Sequence, residues 1–93
     1  MEKTTVKTPK QLERYFKGVA NRRRIEILLL IAKREGTTLI GLAEATKGNF
    51  KTISEHTKKL VQAGLVNKQY RGLHVEHRLS PYGTRFLKFI KSF

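Results

Sequence analysis

The residues of this sequence best suited to chemistry lie between positions 49 and 59, a segment rich in lysine, threonine, serine, glutamate and histidine. Lysine donates to guanine and phosphate, threonine contacts the thymine methyl group, and glutamate accepts from cytosine N4. This chemistry is nucleic-acid recognition. We expect base or near-base contacts from Lys51, Thr52, Glu55 and His56. The same DNA-binding set contains Asn49, together with three predicted phosphate or flanking contacts, Ser54, Lys58 and Lys59.

Three further basic residues, Lys68, Arg71 and Arg78, lie in a segment that alternates polar and apolar residues. Phosphate contact is one interpretation of these side chains, and simple solubility is the other. Contact is favoured most for Arg71, which the pattern places at a turn. All three are included in the predicted DNA-binding set.

The overall charge favours a polyanionic partner. The 93 residues contain 20 Lys and Arg against 7 Asp and Glu, a net charge of +13 at pH 7, whereas solubility alone needs a magnitude of about 2 to 8. Because neutralised phosphates release condensed counterions, nucleic acid is the favoured partner. An anionic membrane surface is the alternative. No linker or repeat divides the chain, so we predict one domain over residues 1–93.

The sequence lacks the features of several protein classes. It contains no cysteine, which excludes disulfide scaffolds, thiolate zinc sites and cysteine nucleophiles. No paired carboxylates, glycine-rich phosphate loop or nucleophile with a base are grouped, so neither an enzyme nor a cofactor is expected. There is no run of about eighteen apolar residues, and residues 1–10 lack the apolar segment of a secretory signal. We expect no membrane partner and a cytoplasmic location.

The first two predicted helices each follow a capping residue. The first spans about 9–18, with Thr8 as its N-cap and Gln11 placed for a capping box. The second follows Asn21 and ends before Gly36. Because its residues are apolar nearly all round, we predict that it is the central buried helix.

Two further helices, capped by Thr38 and Asn49, are predicted within residues 39–63, and Gly64 closes the second. A tight glycine-containing turn joins them, and the second is basic and polar on its outer face. This pattern is typical of a helix-turn-helix, and it places the candidate DNA-binding residues on its second helix.

From position 65 the apolar period changes from 3.6 to 2, which predicts a β-hairpin, or wing, over about 65–79. The predicted strands bracket Arg71 and Gly72. After them, Ser80 caps a last helix of about 81–92. The strand residues predicted to share one face of the hairpin are Leu73, Val75, His77 and Leu79.

The wing also contains His74, Glu76 and His77, which are candidate metal ligands by residue type. In an extended strand His74 and His77 point to opposite faces, and His74 with Glu76 is an incomplete set for zinc. We interpret all three as ordinary wing residues and expect no metal.

The first and last helices each carry an apolar stripe with more area than a small domain needs for its own core. An intramolecular core is one interpretation, and a two-fold interface is the other. We predict a homodimer built from both helices. The predicted interface residues are Leu12, Tyr15, Phe16, Val19, Tyr82, Phe86, Phe89, Ile90 and Phe93.

The predicted fold is mostly α-helical with a small β-hairpin wing, in the order α-α-α-α-β-β-α, which is that of a winged helix-turn-helix. Several segments resemble the ArsR family of such regulators. Residues 20–28 are similar to the opening of the family's central helix, with Arg24 on the family's arginine. Residues 42–45 resemble its third helix, and residues 51–60 its recognition helix. Residues 78–83 resemble the strand-to-helix junction of MarR-like winged helices.

This resemblance implies that the fourth helix enters the major groove and that the wing touches the DNA backbone or the minor groove. It also implies a dimer made by the first and last helices, and a repressor of transcription. Glu55 departs from the family pattern, because arginine usually stands there. Glu55 could read cytosine or pair with a lysine at helical spacing, namely Lys51, Lys58 or Lys59.

The densest basic run, Arg22 to Arg24, lies where the helix dipole disfavours cations. For Arg24 we favour a structural pair with an acid such as Glu26 or Glu44, and we leave Arg22 and Arg23 open. The favoured function is a sequence-specific, homodimeric regulator of double-stranded DNA. The alternatives are a non-specific architectural DNA-binding protein and a protein-interaction subunit of a transcription or replication assembly.

Overall fold

The computed structural model describes residues 6–93, and it confirms the predicted order of elements. Residues 1–5, on which part of the one-domain and secretory-signal predictions depends, lie outside the described residues. None of the helices in the described part has both the length and the apolar character needed to cross a bilayer. The elements are α1 (Pro9–Val19), α2 (Arg22–Lys33), α3 (Leu39–Thr46), α4 (Phe50–Gln62), β1 (Val66–Arg71), β2 (His74–Leu79) and α5 (Pro81–Lys91).

All five predicted N-caps are confirmed, because each capping side chain accepts from a backbone N–H of the first helical turn. At α1 the cap is reciprocal, since Thr8 accepts from the Gln11 amide and Gln11 accepts from the Thr8 amide. The caps, in chain order, are Thr8, Asn21, Thr38, Asn49 and Ser80.

The core is centred on α2, as predicted. Ile27, Leu28 and Ile31 are fully buried and pack with side chains of α3, α4 and the start of the wing. Leu29 is 38% exposed, so one side of α2 faces solvent. The other fully enclosed apolar side chains are Leu42, Ile53, Leu60, Leu65 and Val66.

The hairpin forms, but its turn lies one residue later than predicted. Arg71 pairs with His74, so the two-residue turn is Gly72 and Leu73 rather than Arg71 and Gly72. Gly72 has φ +60°, a conformation that glycine adopts without strain. Leu73 is therefore completely exposed at the tip. The prediction that it shares the inward face with Val75, Leu79 and the buried His77 was wrong.

An additional bridge, which the sequence pattern did not predict, fastens the wing to the body. The His77 amide donates to the Thr37 carbonyl at 2.9 Å, and the Gly36 amide donates to the His77 carbonyl at 2.9 Å. The His77 ring is buried, with Nδ1 3.0 Å from the same Thr37 carbonyl, so Nδ1 donates. Burial lowers the pKa of His77 and outweighs this hydrogen bond, which raises it. His77 is thus a neutral structural residue.

Candidate nucleic-acid interface

Helix α4 is held so that one face packs inward and the other faces solvent. Ile53, Thr57 and Leu60 are buried. The turn before the helix is tight: Lys47 ends α3 in the left-handed conformation, with φ 55°. A side chain at Gly48 would lie 2.8 Å from Ile53. The solvent-facing residues of α4 include Lys51, Thr52, Glu55, Lys58 and Lys59.

The predicted base-contacting residues in the first two turns of α4 differ in solvent exposure. Lys51 and Thr52 are exposed in the first turn, beside the Asn49 cap, whose Oδ1 accepts from the Thr52 amide at 3.2 Å. Glu55 is exposed too, and within residues 6–93 it forms no ion pair with Lys51 or any other cation. Of the two alternatives for Glu55, the lysine pairing is absent here and the reading of cytosine stays a prediction.

His56 lies on the side of α4 that faces α2. Its ring is half-buried, and Nδ1 accepts from Nε of Arg24 at 3.2 Å. Burial, followed by the charges of Arg24 and Arg23, lowers the pKa of His56, so the ring is neutral at pH 7 and can accept. The geometry places His56 behind the outer face of the helix, while its predicted base contact stays untested.

Arg24 has a structural role, but the predicted acidic partner was wrong. Its Nη1 donates to the carbonyls of Lys17 and Gly18, at 3.2 and 3.3 Å, at the end of α1. Arg23 instead pairs with Glu26, at 2.9 Å. The carbonyl end of a helix attracts cations, so Arg24 offsets its unfavourable place at the start of α2.

A cleft of about 260 Å³ separates α4 from the wing. The Ser54 hydroxyl faces no hydrogen-bond partner within residues 6–93, although Oγ is buried. Two exposed lysines, Lys58 and Lys68, line the same cleft from opposite elements. The remaining lining residues are Leu39, Thr57, Val61, Val75 and His77. The structure thus brings together one predicted contact of the wing with two of the recognition helix.

The other two predicted wing contacts are engaged within the protein. Arg71 lies 3.4 Å from Glu76, and Arg78 lies 3.4 Å from Glu76 and 3.8 Å from Glu35. Glu35 also accepts from the Leu79 amide at 3.2 Å. Both arginines would have to give up or share these carboxylates to contact phosphate, whereas Lys68 has no ion pair among the described residues.

The predicted dimer residues divide into two groups. Tyr15 and Val19 are each 7% exposed and belong to the core of the protomer, so they do not offer free surface. The exposed part is a row of aromatic rings in edge-on contact, which aromatic pairs favour. Ring centroids are 5.2 Å apart for Phe16 and Phe86, 6.4 Å for Phe86 and Phe89, and 5.2 Å for Phe89 and Phe93. Beside this row, Leu12, Tyr82 and Ile90 are partly buried.

One candidate was missed by the sequence reasoning. Phe50, the first residue of α4, is 51% exposed next to Lys51. Phenylalanine can contact the thymine methyl group. By helical spacing Phe50 shares the stripe of the buried Ile53 and Thr57, so the sequence pattern gave no sign of its exposure.

Comparisons with known proteins agree with this geometry. The model of the bacterial regulatory protein arsR family matches residues 21–68, more than half of the chain. The arsenical resistance operon repressor of Bacillus subtilis is 29% identical over 72 residues, which are 77% of this chain and 69% of the repressor.

Solved structures give the same fold. A homodimeric winged helix-turn-helix DNA-binding domain from Mycobacterium bovis, a possible ArsR-family transcriptional regulator, matches with a TM-score of 0.80 and 25% identity. The match covers 96% of this chain and 88% of that domain. HlyU from Vibrio cholerae matches with a TM-score of 0.73 and 23% identity, over 84% of this chain and 81% of that chain, which is a likeness of fold.

Proposed function

Because the chain belongs to the arsR family of bacterial regulatory proteins, and is a DNA-binding transcriptional regulator, we propose that it represses transcription as a homodimer bound to an inverted repeat. We further propose that it acts in the cytoplasm and catalyses no reaction. The observation that carries the proposal is the outward face of α4, where Lys51, Thr52 and Glu55 project from the first turns of a capped helix. Residues near the start of such a helix reach base edges in the major groove.

In this proposal the DNA backbone lies over the cleft between α4 and the wing. Lys58 and Lys68 would flank one phosphate from opposite sides, and a χ1 rotation of Ser54 that moves its buried Oγ into the cleft would let it donate to the same group. Phosphate contacts of this kind fix the register of the protein without specifying sequence. The sequence is then read by Lys51, Thr52 and Glu55, with the Phe50 ring against a thymine methyl group.

The dimer proposal rests on the exposed aromatic row of α1 and α5. Phe16 and Phe89 are each about half exposed and Phe93 is 95% exposed, so the row leaves apolar surface in water. Burying this row against a second copy relates the two α4 helices by a two-fold axis. Such a pair reads half-sites about one helical turn, or about 34 Å, apart.

Selection of bound duplexes from a randomised library, at physiological salt, tests the proposal. We expect an enriched inverted repeat. The variant Lys51→Ala should weaken binding and change the preference at one base pair per half-site, whereas Lys88→Ala on α5 should change neither. Strong, salt-sensitive binding without enrichment would overturn the operator-reading proposal in favour of an architectural DNA-binding protein. No DNA binding at all would favour the protein-interaction subunit.

A further inference from the structure

Arg24 occupies a junction between three helices. It belongs to the first turn of α2, and its guanidinium donates to the last carbonyls of α1 and to His56 of α4. The donated hydrogens point in fixed directions, because the guanidinium is planar and its donors form a rigid fork. One side chain therefore ties the end of α1 to the middle of α4.

A second contact between α1 and α4 lies farther along α4. A side chain on Gly18 would overlap the Cβ of Ala63, so the backbone of α1 rests directly against the end of α4. His56 and Ala63 are seven positions apart in sequence, a separation of about 10 Å along a helix axis. Together with the core packing of Ile53, Thr57 and Leu60, two contacts at this separation hold the direction of α4 relative to α1.

The direction of α4 matters because α1 also carries part of the aromatic row proposed as the dimer surface. Lys51 lies twelve positions before Ala63, or about 18 Å along the helix. A pivot of about 10° around Ala63 would move Lys51 by about 3 Å, close to the rise of about 3.4 Å for one base pair. In a two-fold dimer both recognition helices would move, and the distance between them would change.

We infer that Arg24 is a positioning residue that fixes the recognition helix to the dimerisation helix, and thereby sets the half-site spacing that the dimer accepts. It acts through His56, which supplies the acceptor on α4, and through the Lys17 and Gly18 carbonyls, which supply the acceptors on α1. This inference rests on the proposed homodimer and its inverted repeat.

The test measures spacing preference rather than affinity alone. The selected half-site is placed in inverted repeats whose centres differ by one or two base pairs, and the dissociation constant is measured for each duplex. We expect wild type to prefer one spacing over its neighbours by about tenfold or more. Arg24→Gln and His56→Ala should reduce this preference to about threefold or less, because each removes the tie to α4.

Three matched variants separate positioning from charge and from general destabilisation. Arg24→Lys keeps the charge but lacks the fork, so it should also lose spacing preference. His56→Asn should retain it, because the Asn oxygen stands near the position of Nδ1 and can accept from Arg24. Arg22→Gln removes an exposed charge from the same helical turn, and should leave the spacing preference unchanged. Measuring the unfolding temperature and the dimer mass of each variant shows which variants are folded dimers.

The outcomes distinguish this inference from the proposed function. Failure of wild type to select any inverted repeat would overturn both. A wild-type spacing preference that persists in folded Arg24→Lys and Arg24→Gln dimers would overturn the inference and leave the proposed function intact. Loss of preference in both Arg24 variants, with retention in His56→Asn and Arg22→Gln, would establish it.

Discussion

Replacing Lys58 with glutamine gives the sharpest quantitative test of the proposed DNA interface. Lys58 is exposed on α4 at the edge of the cleft that we assign to the DNA backbone. A lysine that neutralises a phosphate releases a counterion, so its removal changes the salt dependence of binding as well as the affinity. Glutamine is polar, uncharged and one bond shorter than lysine, so the main change is the loss of the charge.

The expected salt dependence of binding follows from the cations that the fold leaves unpaired at the interface. Each protomer offers four such lysines, which gives a slope of log K against log salt of about −7 for the dimer. Adding Arg71 and Arg78, which are tied to Glu76, would steepen the slope to about −11. Lys58→Gln removes two phosphate contacts per dimer and should make the slope less steep by about 2. The four lysines are the base-reading Lys51, whose charge also displaces counterions from the groove, together with Lys58, Lys59 and Lys68.

Fluorescence anisotropy of a labelled operator between about 50 and 200 mM salt measures both slopes. Over this range the affinity loss caused by Lys58→Gln should shrink by about tenfold, because the lost contact counts least at high salt. Lys88→Gln, an exposed lysine of α5 outside the proposed interface, is the control and should leave the slope unchanged. An unchanged slope in Lys58→Gln would refute the assignment of the cleft, and a wild-type slope near −11 would show that the wing arginines leave Glu76.

Three further predictions concern the fold and the dimer. Gly83→Ala should lower the free energy of unfolding by about 1–3 kcal/mol in urea titration, because its Cβ would overlap the rigid Leu65 carbonyl. Since burial lowers the folded-state pKa of His77, the unfolded state binds the proton more readily. The stability of the wild type in pH-dependent unfolding should therefore be complete above about pH 6.5 and fall as the pH decreases towards the folded-state pKa. Phe89→Glu should give a folded monomer in sedimentation, because the substituted ring is half exposed in the aromatic row.

Each of these predictions has a matched control. Gly41 occupies the same third helical position in α3 as Gly83 in α5, but its Cβ would meet a movable Thr37 hydroxyl. A Gly41→Ala loss as large as that of Gly83→Ala would contradict the packing argument. His77→Asn should make the pH profile less steep and leave the contribution of His56, while His74→Asn preserves the profile, and equal profiles for both would argue against His77. Ile40→Glu changes an exposed apolar residue on α3 and should leave the dimer intact.

The helices were predictable because their signals are local. A capping residue such as Thr8 or Asn49 acts on amides two or three positions away, and the apolar stripe beside it repeats every turn. The turn of the wing was predicted one residue early because Leu73 is apolar and was assigned to the strand. The φ of Gly72 and the pairing of Arg71 with His74 place Leu73 in the turn instead.

The features that the sequence did not predict depend on contacts between residues far apart in the chain. The partners of Arg24 are a backbone carbonyl at position 17, another at position 18 and a ring at position 56. The predicted partners were Glu26 or Glu44, but residues two apart do not face each other on a helix, and the fold pairs Glu26 with Arg23, three positions away. Likewise, the bridge between Thr37 and His77 joins single residues forty positions apart, with no alternating pattern around Thr37. Such pairings leave no periodic pattern in the sequence from which they could be predicted.

The structure divides the large positive charge between two kinds of residue with different roles. At the candidate interface, Arg23, Arg24 and Arg78 use their fixed donor directions for carboxylates, carbonyls and a ring nitrogen of the protein itself. The lysines of the same surface, among them Lys51 and Lys68, remain exposed without such partners among residues 6–93. This division follows the chemistry of the two side chains, since a guanidinium fixes geometry and an ammonium on a flexible stem adapts to phosphates. Replacing these arginines with lysine would therefore preserve the net charge but lose the fixed hydrogen bonds and ion pairs that the guanidinium groups form.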